Sequence, residues 1–418
     1  MAILPPPQKS RRTTAVAERR GVAAMVKDLL ARPLADYWMI IGSSAVLIGL
    51  GLMFVLSASS VYGRVQFGDS FYFVKRQATF TVVGLIMAVG LARMSVRTLR
   101  IIAWPSMVLA YVFLILTYTP LGVNVKGNQN WVEFGSSWLR FQPAEFAKLA
   151  LVVWCAHIFM QKQRRLSDPM HLLIPFLPGS GLLLLLVVFQ GDMGTAVIIA
   201  GMIVAMLFVI GTPKRVLFGL GGIGLMGVLV LTVTSANRMR RLLAFLNPGH
   251  DLNGTNMQAT VGVYALATGG WLGTSIGGSR QKWGSLPEAH TDYIFAVVGE
   301  ELGLFGALLV LGLFLALGFA GLRVAMNSED MFGRVVATGI TTWFLFQGLV
   351  NIAVVLRMLP VMGVPLPMLS YGGSALMANL LALGVLVACA RNVPAAREAL
   401  AASSRKPARI SAILGSRH

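Results

Sequence analysis

Long runs of apolar residues, separated by short polar segments, dominate the chain. A run of roughly 17 to 25 such residues can cross the hydrocarbon core of a bilayer as a helix. The pattern predicts about ten transmembrane helices, near residues 37–57, 77–92, 101–119, 143–160, 172–189, 193–211, 216–234, 294–322, 335–356 and 375–390. We therefore expect an all-α integral membrane protein, in which the long eighth run is tilted or kinked.

Composition and charge agree with this interpretation and predict an orientation. Hydrophobic residues make up 56% of the chain and charged residues only 12%. When the N-terminus is placed in the cytoplasm, 23 of the 35 Lys and Arg residues fall on cytoplasmic segments and 11 on the opposite side. This bias follows the positive-inside rule and predicts that both termini are cytoplasmic. The net charge of +19 suits an anionic membrane surface and does not require nucleic acid.

The same pattern divides the chain into three regions. Residues 1–36 form a basic tail that we expect to be mostly disordered, residues 37–391 form the polytopic domain, and residues 392–418 form a second basic tail. The first tail lacks the short apolar core and cleavage site of a signal peptide. A large extracytoplasmic loop, 235–293, is predicted between helices 7 and 8. Loops of such length are usually functional or disordered.

Asp292 stands where this loop re-enters the membrane at the start of a predicted helix. Partial burial would raise the proton affinity of its carboxylate and suit a general base, although a helix N-terminus opposes that effect. The alternative is that Asp292 caps the helix, which is a common role for Asp. His290 is interpreted as a hydrogen-bonding residue, and no second His or Cys lies at the spacing of a zinc site.

Ionisable residues also occur inside the predicted spans. Glu145 and Lys148 are three residues apart and can face each other, either as a structural ion pair or as the polar wall of a substrate cavity. On a continuous helix, Glu300 lies about 80° from Asp292 and Glu301 about 180° from it. We therefore expect Glu300, and not Glu301, to share a cavity with Asp292.

Two further segments carry chemical signals. The outer loop contains three closely spaced arginines, Arg238, Arg240 and Arg241. They could clamp a phosphate or pyrophosphate, or alternatively attract lipid headgroups. The loop 357–374 contains several prolines and a pair of glycines. At membrane depth such a segment is expected to be re-entrant or broken and packed against protein, either as a backbone-lined polar site or as a plain structural turn.

Together these segments resemble the SEDS (shape, elongation, division and sporulation) family, roughly from residue 40 to residue 390. The strongest motif runs from Leu286 to Ala296 and continues in Gly299–Gly303. Also similar are Gln142–Glu145 with Lys148, the Asp192–Ala196 turn, Arg238–Pro248 and Pro365–Ser374. Ala289, with Gln281 and Lys282 upstream, resembles the FtsW branch of the family more than the RodA branch, which tends to carry Arg there.

The resemblance implies a peptidoglycan glycosyltransferase that polymerises lipid II into β-1,4 glycan strands during septal cell-wall synthesis and cell division. The acid of the His-Thr-Asp run is the family's catalytic residue, and this role passes to Asp292. Glu145 and Lys148 inherit a substrate-binding role. The implied partners are a class B penicillin-binding protein, other divisome proteins and membrane lipids. The implied location is the septal region of the cytoplasmic (inner) membrane.

This chemistry needs one base and a stabilised leaving group. We expect Asp292 to accept the proton of the acceptor sugar's 4-hydroxyl, whose oxygen attacks the donor's anomeric carbon. Lys282 or the three arginines could stabilise the departing pyrophosphate. No cofactor site is evident, although a divalent cation such as Mg²⁺ or Mn²⁺ could assist. Together with Lys282, the predicted substrate-binding residues are Glu145, Lys148, His290, Glu300, Arg238, Arg240 and Arg241.

Two other functions remain open at this stage. A lipid II flippase would place its polar groups near the bilayer midplane, often within inverted repeats, and a non-catalytic scaffold would only recruit the transpeptidase. The chain departs from the family pattern at Asn130, Gly191, Val261–Gly262, Arg357 and Met362. Such departures suit a divergent division-type member or a paralogue, but they leave the His290–Asp292 run complete.

Overall fold

The computed structural model describes residues 27–125, 127–136, 140–165, 169–247, 256–283 and 286–404, which form a helical bundle with a small sheet at one end. The helices are α1 (Ala35–Phe67), α2 (Tyr72–Arg93), α3 (Val96–Ile101), α4 (Ala103–Leu116), α5 (Pro143–Gln161), α6 (Pro169–Phe189), α7 (Met193–Val209), α8 (Lys214–Val233), α9 (Ala236–Leu246), α10 (Met257–Gly269), α11 (Ile294–Asn327), α12 (Met331–Val355), α13 (Gly373–Asn392) and α14 (Pro394–Ser404). The strands are β1 (Gly122–Val125), β2 (Asn128–Glu133) and β3 (Arg140–Phe141).

Each predicted apolar run lies on one of these helices. Within the described residues, seven helices are long and apolar enough to cross a membrane, namely α1, α2, α5, α8, α11, α12 and α13. Helices α4 and α7 and the second part of α6 are apolar but shorter. The protein is therefore a multi-pass membrane protein. The count of ten spans and the cytoplasmic placement of the termini stay predictions, and most of both predicted tails lies outside the described residues.

A three-stranded antiparallel sheet between α4 and α5 departs from the all-α prediction. Its strands lie in the order β1-β2-β3, with Gly122 opposite Val132 and Val132 opposite Phe141. In β2, Asn130 and Val132 are buried while their neighbours are partly exposed. The sequence pattern missed this strand because one of its inward positions is an asparagine. The side-chain amide of Asn130 is therefore on the buried face of the sheet.

The segment 235–293 is not an extended loop, because two of its stretches are helical and packed. Helix α9 carries arginines on a strongly amphipathic surface, and α10 lies close along α11. A Cβ built at Gly269 would lie 2.9 Å from the Cα of Glu300, so the two helices meet with no space for a side chain there. Local 3.6-residue periodicity in α9 was the sequence signal for this structure.

Helix α11 is kinked at Gly303, which confirms the predicted kink. Gly303 has φ 67° and ψ −161°, a left-handed conformation that favours glycine. The segment that follows α10 fills the break, because Leu304 N donates to Gly270 O at 2.9 Å. Backbone groups released by the kink are thus satisfied within the protein, as a membrane environment requires.

Residues 356–372 are non-helical and enter the bundle, which confirms the prediction of a broken segment packed against protein. Leu366, Met368 and Leu369 are buried, and a Cβ at Gly51, the midpoint of α1, would lie 2.7 Å from the Met368 carbonyl oxygen. Side-chain amides satisfy several carbonyls of this segment. Gln77, Gln347 and Asn351 donate to the carbonyl oxygens of Ser370, Pro365 and Val364 at 3.1, 2.8 and 2.7 Å.

Small residues allow α2 and α13 to pack closely, as is common for helices in membranes. A Cβ at Gly384 would overlap the Ala88 backbone, 2.8 Å from its Cα, and a Cβ at Gly84 would lie 2.6 Å from Leu380 Cδ1. The contact at Gly384 involves backbone atoms, which cannot rotate away. This crossing therefore depends on the absence of a side chain at Gly384.

We expect Gly384→Ala to destabilise the protein by about 1–3 kcal/mol, the usual cost of overpacking. Gly90→Ala on α2 is the matched control, because no atom lies within 4 Å of a Cβ built there. It should be neutral or stabilising by up to about 1 kcal/mol, since alanine favours a helix over glycine. Unfolding in detergent would measure both, and equal stability of the two variants would contradict the packing described here.

Candidate active site

A cavity of about 750 Å³ lies at the end of the bundle where the sheet, α9 and the 356–372 segment meet. Its volume is typical of a pocket for a sizeable ligand. Acidic, basic and amide side chains line it together. The acids are Asp192, Glu288 and Asp292. The basic side chains are Arg76, Arg140, Arg238 and Arg241. The side-chain amides are Asn128, Asn130, Gln142, Asn237 and Gln258.

Asp292 belongs to this cavity and does not cap α11. The helix begins at Ile294 and its N-cap is Tyr293, so the capping interpretation of Asp292 is wrong. Two contacts fix the backbone around Asp292: Asn351 Nδ2 donates to the Asp292 carbonyl oxygen at 2.8 Å, and Tyr293 N donates to Glu288 O at 3.2 Å. The turn before α11 thus holds the carboxylate at the cavity wall.

Gly363 faces the Asp292 carboxylate from the 356–372 segment. A Cβ built at Gly363 would lie 3.6 Å from Asp292 Oδ2, and the residue has φ 70°, which favours glycine. Any longer side chain at this position would extend into the space beside the carboxylate. Bare backbone therefore keeps that space available for a ligand.

Glu288 is a second cavity carboxylate, to which the sequence pattern did not point as a site residue. It adopts φ 59°, which is uncommon for a residue with a side chain, and its Oε2 accepts a 2.7 Å hydrogen bond from Thr291 Oγ1. Backbone strain of this kind concentrates at functional sites. Its position within the strongest sequence motif was the available signal.

Two of the three predicted arginines reach the cavity. Arg238 and Arg241, three residues apart on α9, both line it, whereas Arg240 is exposed and does not. Arg238 Nη1 donates to Leu231 O at 3.0 Å, and Arg241 Nη1 donates to Val361 O at 3.4 Å. Arg238 and Arg241 share one face of α9 because they stand at positions i and i+3, whereas Arg240 lies outside that face.

Glu300 does not share the cavity with Asp292, so that expectation is wrong. The segment after α10 folds back along α11 and supplies donors to this buried carboxylate. Ser279 Oγ donates to Glu300 Oε2, and Arg280 N donates to Glu300 Oε1 at 2.9 Å. Angles along a helix describe α11 by itself, whereas the surroundings of Glu300 are set by the neighbouring segment that packs on it.

Lys282 is likewise turned away from the cavity. Its Nζ lies 2.6 Å from Glu301 Oε1 and 2.8 Å from Ser57 Oγ, and both charged side chains are almost fully buried. The pair therefore clamps the segment 270–283 onto α1 and α11. Lys282 does not line the cavity, so it is not positioned to bind a pyrophosphate there.

Glu145 and Lys148 form a buried ion pair behind the 356–372 segment. Lys148 Nζ donates to Glu145 Oε1 and to Gln347 Oε1, each at 2.8 Å, and lies 4.5 Å from the centre of the Trp343 ring. Gln347 in turn donates to Pro365 O, a cavity residue. Neither charged residue lines the cavity, so the geometry matches the structural interpretation, with an indirect connection to the site.

His290 lines the cavity at its aromatic edge. Its ring centre lies 4.9 Å from Phe73, 5.5 Å from Tyr371 and 5.8 Å from Tyr62. Its carbonyl oxygen accepts a 2.8 Å hydrogen bond from Tyr371 N.

Some of the departures from the family pattern have structural roles. Gly191 has φ 87°, and a Cβ there would lie 2.8 Å from Asn128 Oδ1. A Cβ at Gly262 would lie 2.9 Å from the Tyr293 ring, so glycine leaves room for that tyrosine. Arg357 adopts φ 59°, and its guanidinium lies 3.4 Å from Asn256 Oδ1.

Comparisons with known proteins identify the family. The sequence model described as "cell cycle protein", covering FtsW, RodA and SpoVE, matches residues 37–394. The chain belongs to this family. The resemblance found in the motifs is thereby confirmed.

Relatives within the family are similar over most of their length. The chain is 38% identical over 364 residues to a probable peptidoglycan glycosyltransferase FtsW of Trichlorobacter lovleyi, covering 86% of this chain and 95% of that one. It is 37% identical over 347 residues to stage V sporulation protein E of Bacillus subtilis, covering 83% and 94%. These relatives thus include a probable peptidoglycan glycosyltransferase and a sporulation protein.

Solved structures share the fold. A chain of a peptidoglycan synthase complex that coordinates polymerization and crosslinking matches with a TM-score of 0.68 at 27% identity, covering 85% of this chain and 98% of that one. The rod shape determining protein RodA of Thermus thermophilus matches with a TM-score of 0.63 at 26% identity, covering 85% and 97%.

We expect Lys282→Met to destabilise the protein by about 3–5 kcal/mol, because it leaves the buried Glu301 carboxylate without its positively charged partner. The double variant Lys282→Met/Glu301→Gln should recover much of the loss. Lys75→Met is the control, since it breaks the exposed Lys75–Asp69 pair and should change stability little. Unfolding in detergent would test all three, and equal effects of the two single variants would contradict a clamp at Lys282.

Proposed function

We propose that this protein is a peptidoglycan glycosyltransferase that polymerises lipid II into β-1,4 glycan strands on the outer face of the cytoplasmic membrane. The observation that carries the proposal is one cavity that combines the Asp292 carboxylate with the Arg238 and Arg241 guanidinium groups. Lipid II presents a sugar hydroxyl, an anomeric carbon and a pyrophosphate. The cavity thus offers a base for the hydroxyl and cations for the leaving group.

In the proposed reaction, the Asp292 carboxylate accepts the proton of the 4-hydroxyl on the acceptor's N-acetylglucosamine. That oxygen forms a bond to the anomeric carbon of the donor's N-acetylmuramic acid. The bond from this carbon to the pyrophosphate oxygen breaks, and the pyrophosphate leaves with the electron pair. A single displacement inverts the α-linked donor to a β-1,4 linkage. The space beside Gly363 is where the acceptor hydroxyl would approach Asp292.

The leaving group acquires negative charge as the bond breaks. Arg238 and Arg241 are positioned to stabilise it, because a guanidinium binds phosphate oxygens with two parallel hydrogen bonds. Among the described residues, no three or more His, Cys, Asp or Glu side chains form a group that could hold a metal ion. We assign charge stabilisation to the arginines, and assistance by a divalent cation such as Mg²⁺ or Mn²⁺ stays a prediction.

The position of the cavity suits a lipid-linked substrate. It lies at the end of the bundle that the charge distribution assigns to the outer face. Val228 and Leu229 of α8 form an apolar part of its wall. Much of the α8 surface is apolar and exposed, as expected for a helix that faces lipid. This wall would accommodate the lipid end of the substrate while the sugars meet the polar residues.

The proposed partner is a class B penicillin-binding protein that crosslinks the new strands. Support comes from the structural similarity to a chain of a peptidoglycan synthase complex. The FtsW-type relatives favour action at the division septum together with other divisome proteins. Polymerisation and crosslinking at one place would let each strand be joined as it is made.

We expect purified wild-type protein to polymerise lipid II, and Asp292→Asn to abolish polymer formation, because the amide cannot accept the proton. Each protein would be assayed in liposomes with and without the class B transpeptidase. The unfolding temperature of the variant provides the control for folding. Equal polymer from both proteins would remove Asp292 as the base. The absence of polymer from both, even with the partner, would favour a flippase or a scaffold.

Alanine substitution of each of the three arginines distinguishes those that line the cavity from the one that does not. Arg241→Ala and Arg238→Ala should each lower the polymerisation rate on the order of 100-fold, the usual effect of removing one group that stabilises developing charge. Arg240→Ala is the matched control on the same helix, because Arg240 is exposed and outside the cavity. Polymerisation kinetics of folded variants would measure the effect. Similar losses for all three would indicate general membrane attraction.

A further inference from the structure

Asp192 lies at the centre of a polar cluster in the cavity wall, formed by elements other than those that carry Asp292. Asn130 Nδ2 donates to Asp192 Oδ2 at 2.9 Å, and Gln142 Nε2 donates to the same oxygen at 2.6 Å. Thr195 N donates to Asp192 Oδ1 at 3.0 Å at the start of α7. The sheet, α5 and α7 therefore meet at one carboxylate.

The contacts of Asp192 fix the orientation of the Asn130 amide. An ionised carboxylate only accepts hydrogen bonds, so Asn130 must turn its NH₂ group toward Asp192 and its carbonyl oxygen away. Asn130 is only 7% exposed, and it lines the cavity. Its Oδ1 is buried and has no hydrogen-bond partner among the described residues.

A buried carbonyl oxygen without a partner is unfavourable, and native structures rarely keep one unless water or a ligand satisfies it. Asn130 lines the cavity, so a molecule bound there would lie against this side chain. The oxygens of Asp192 already accept three hydrogen bonds, which leaves Asn130 Oδ1 as the acceptor still to be satisfied in this cluster. Trp131, the next residue of β2, also lines the cavity and offers an aromatic surface.

We propose that Asn130 Oδ1 accepts a hydrogen bond from a neutral N–H or O–H of the substrate head group. The cluster around Asp192 is then a binding subsite separate from the base at Asp292. This inference rests on the proposed function. The donor can belong to the amino-sugar disaccharide or to the peptide stem, because both carry amide N–H groups. Asn130 contributes to affinity and not to bond formation.

The test measures binding of lipid II to the full-length Asp292→Asn protein in nanodiscs, so that no turnover occurs. Adding Asn130→Leu should weaken binding about tenfold, the typical effect of one lost hydrogen bond. Asn130→Ala provides a second, smaller replacement if the leucine variant unfolds. Gln142→Leu is the matched control. It removes a donor to the same Asp192 oxygen, leaves Asn130 Oδ1 in place and should weaken binding less.

A lipid-linked disaccharide without the peptide stem identifies the donor. If Asn130→Leu still weakens binding of this probe tenfold, the donor lies on the sugars; if the difference disappears, it lies on the stem, and both results support the subsite. Unchanged binding of complete lipid II by folded Asn130 variants would overturn the inference, as would equal effects of Asn130→Leu and Gln142→Leu. Absence of binding by the parent protein would overturn the proposed function itself.

Discussion

Asn351 joins the two segments that form the candidate active site, and the rest of the site depends on that connection. Its Nδ2 donates to the carbonyl oxygens of Asp292 and Val364 at 2.8 and 2.7 Å. Because irregular backbone inside a membrane must find its partners within the protein, one buried amide on α12 can hold both the turn before α11 and the 356–372 segment. The carboxylate of Asp292 and the bare backbone of Gly363 face each other as a result.

The ion pair of Glu145 and Lys148 extends this support one layer deeper. Lys148 holds the Gln347 oxygen, which leaves the Gln347 NH₂ group free to bind Pro365 O. A buried pair of charges contributes little net stability by itself, because desolvation offsets the attraction. Its effect here is geometric, since it fixes the orientation of an amide that holds the cavity wall. A residue can therefore matter to the site without facing the substrate.

The cavity divides its chemistry among different elements of the fold. Asp292 comes from the turn before α11, Arg238 and Arg241 come from α9, and the cluster around Asp192 comes from the sheet, α5 and α7. Because the base, the arginine side chains and the amides stand on different elements, each can contact a different part of a large substrate. Lys282, Glu300 and Glu301 do not line the cavity. Their side chains instead hold the segment 270–283 on α11.

The apolar runs determined the helices, because a bilayer permits only long apolar helices with internal hydrogen bonds to cross it. The local motif around Asp292 likewise pointed to the catalytic candidate. Which charged residues face the cavity was decided only by tertiary structure, since partners such as Ser279 for Glu300 or Glu301 for Lys282 come from distant or folded-back segments. The strand that carries Asn130 was equally hidden, because an asparagine at an inward position breaks the alternating pattern. Its role depends on Asp192, 62 residues away, whose carboxylate fixes which way the amide points.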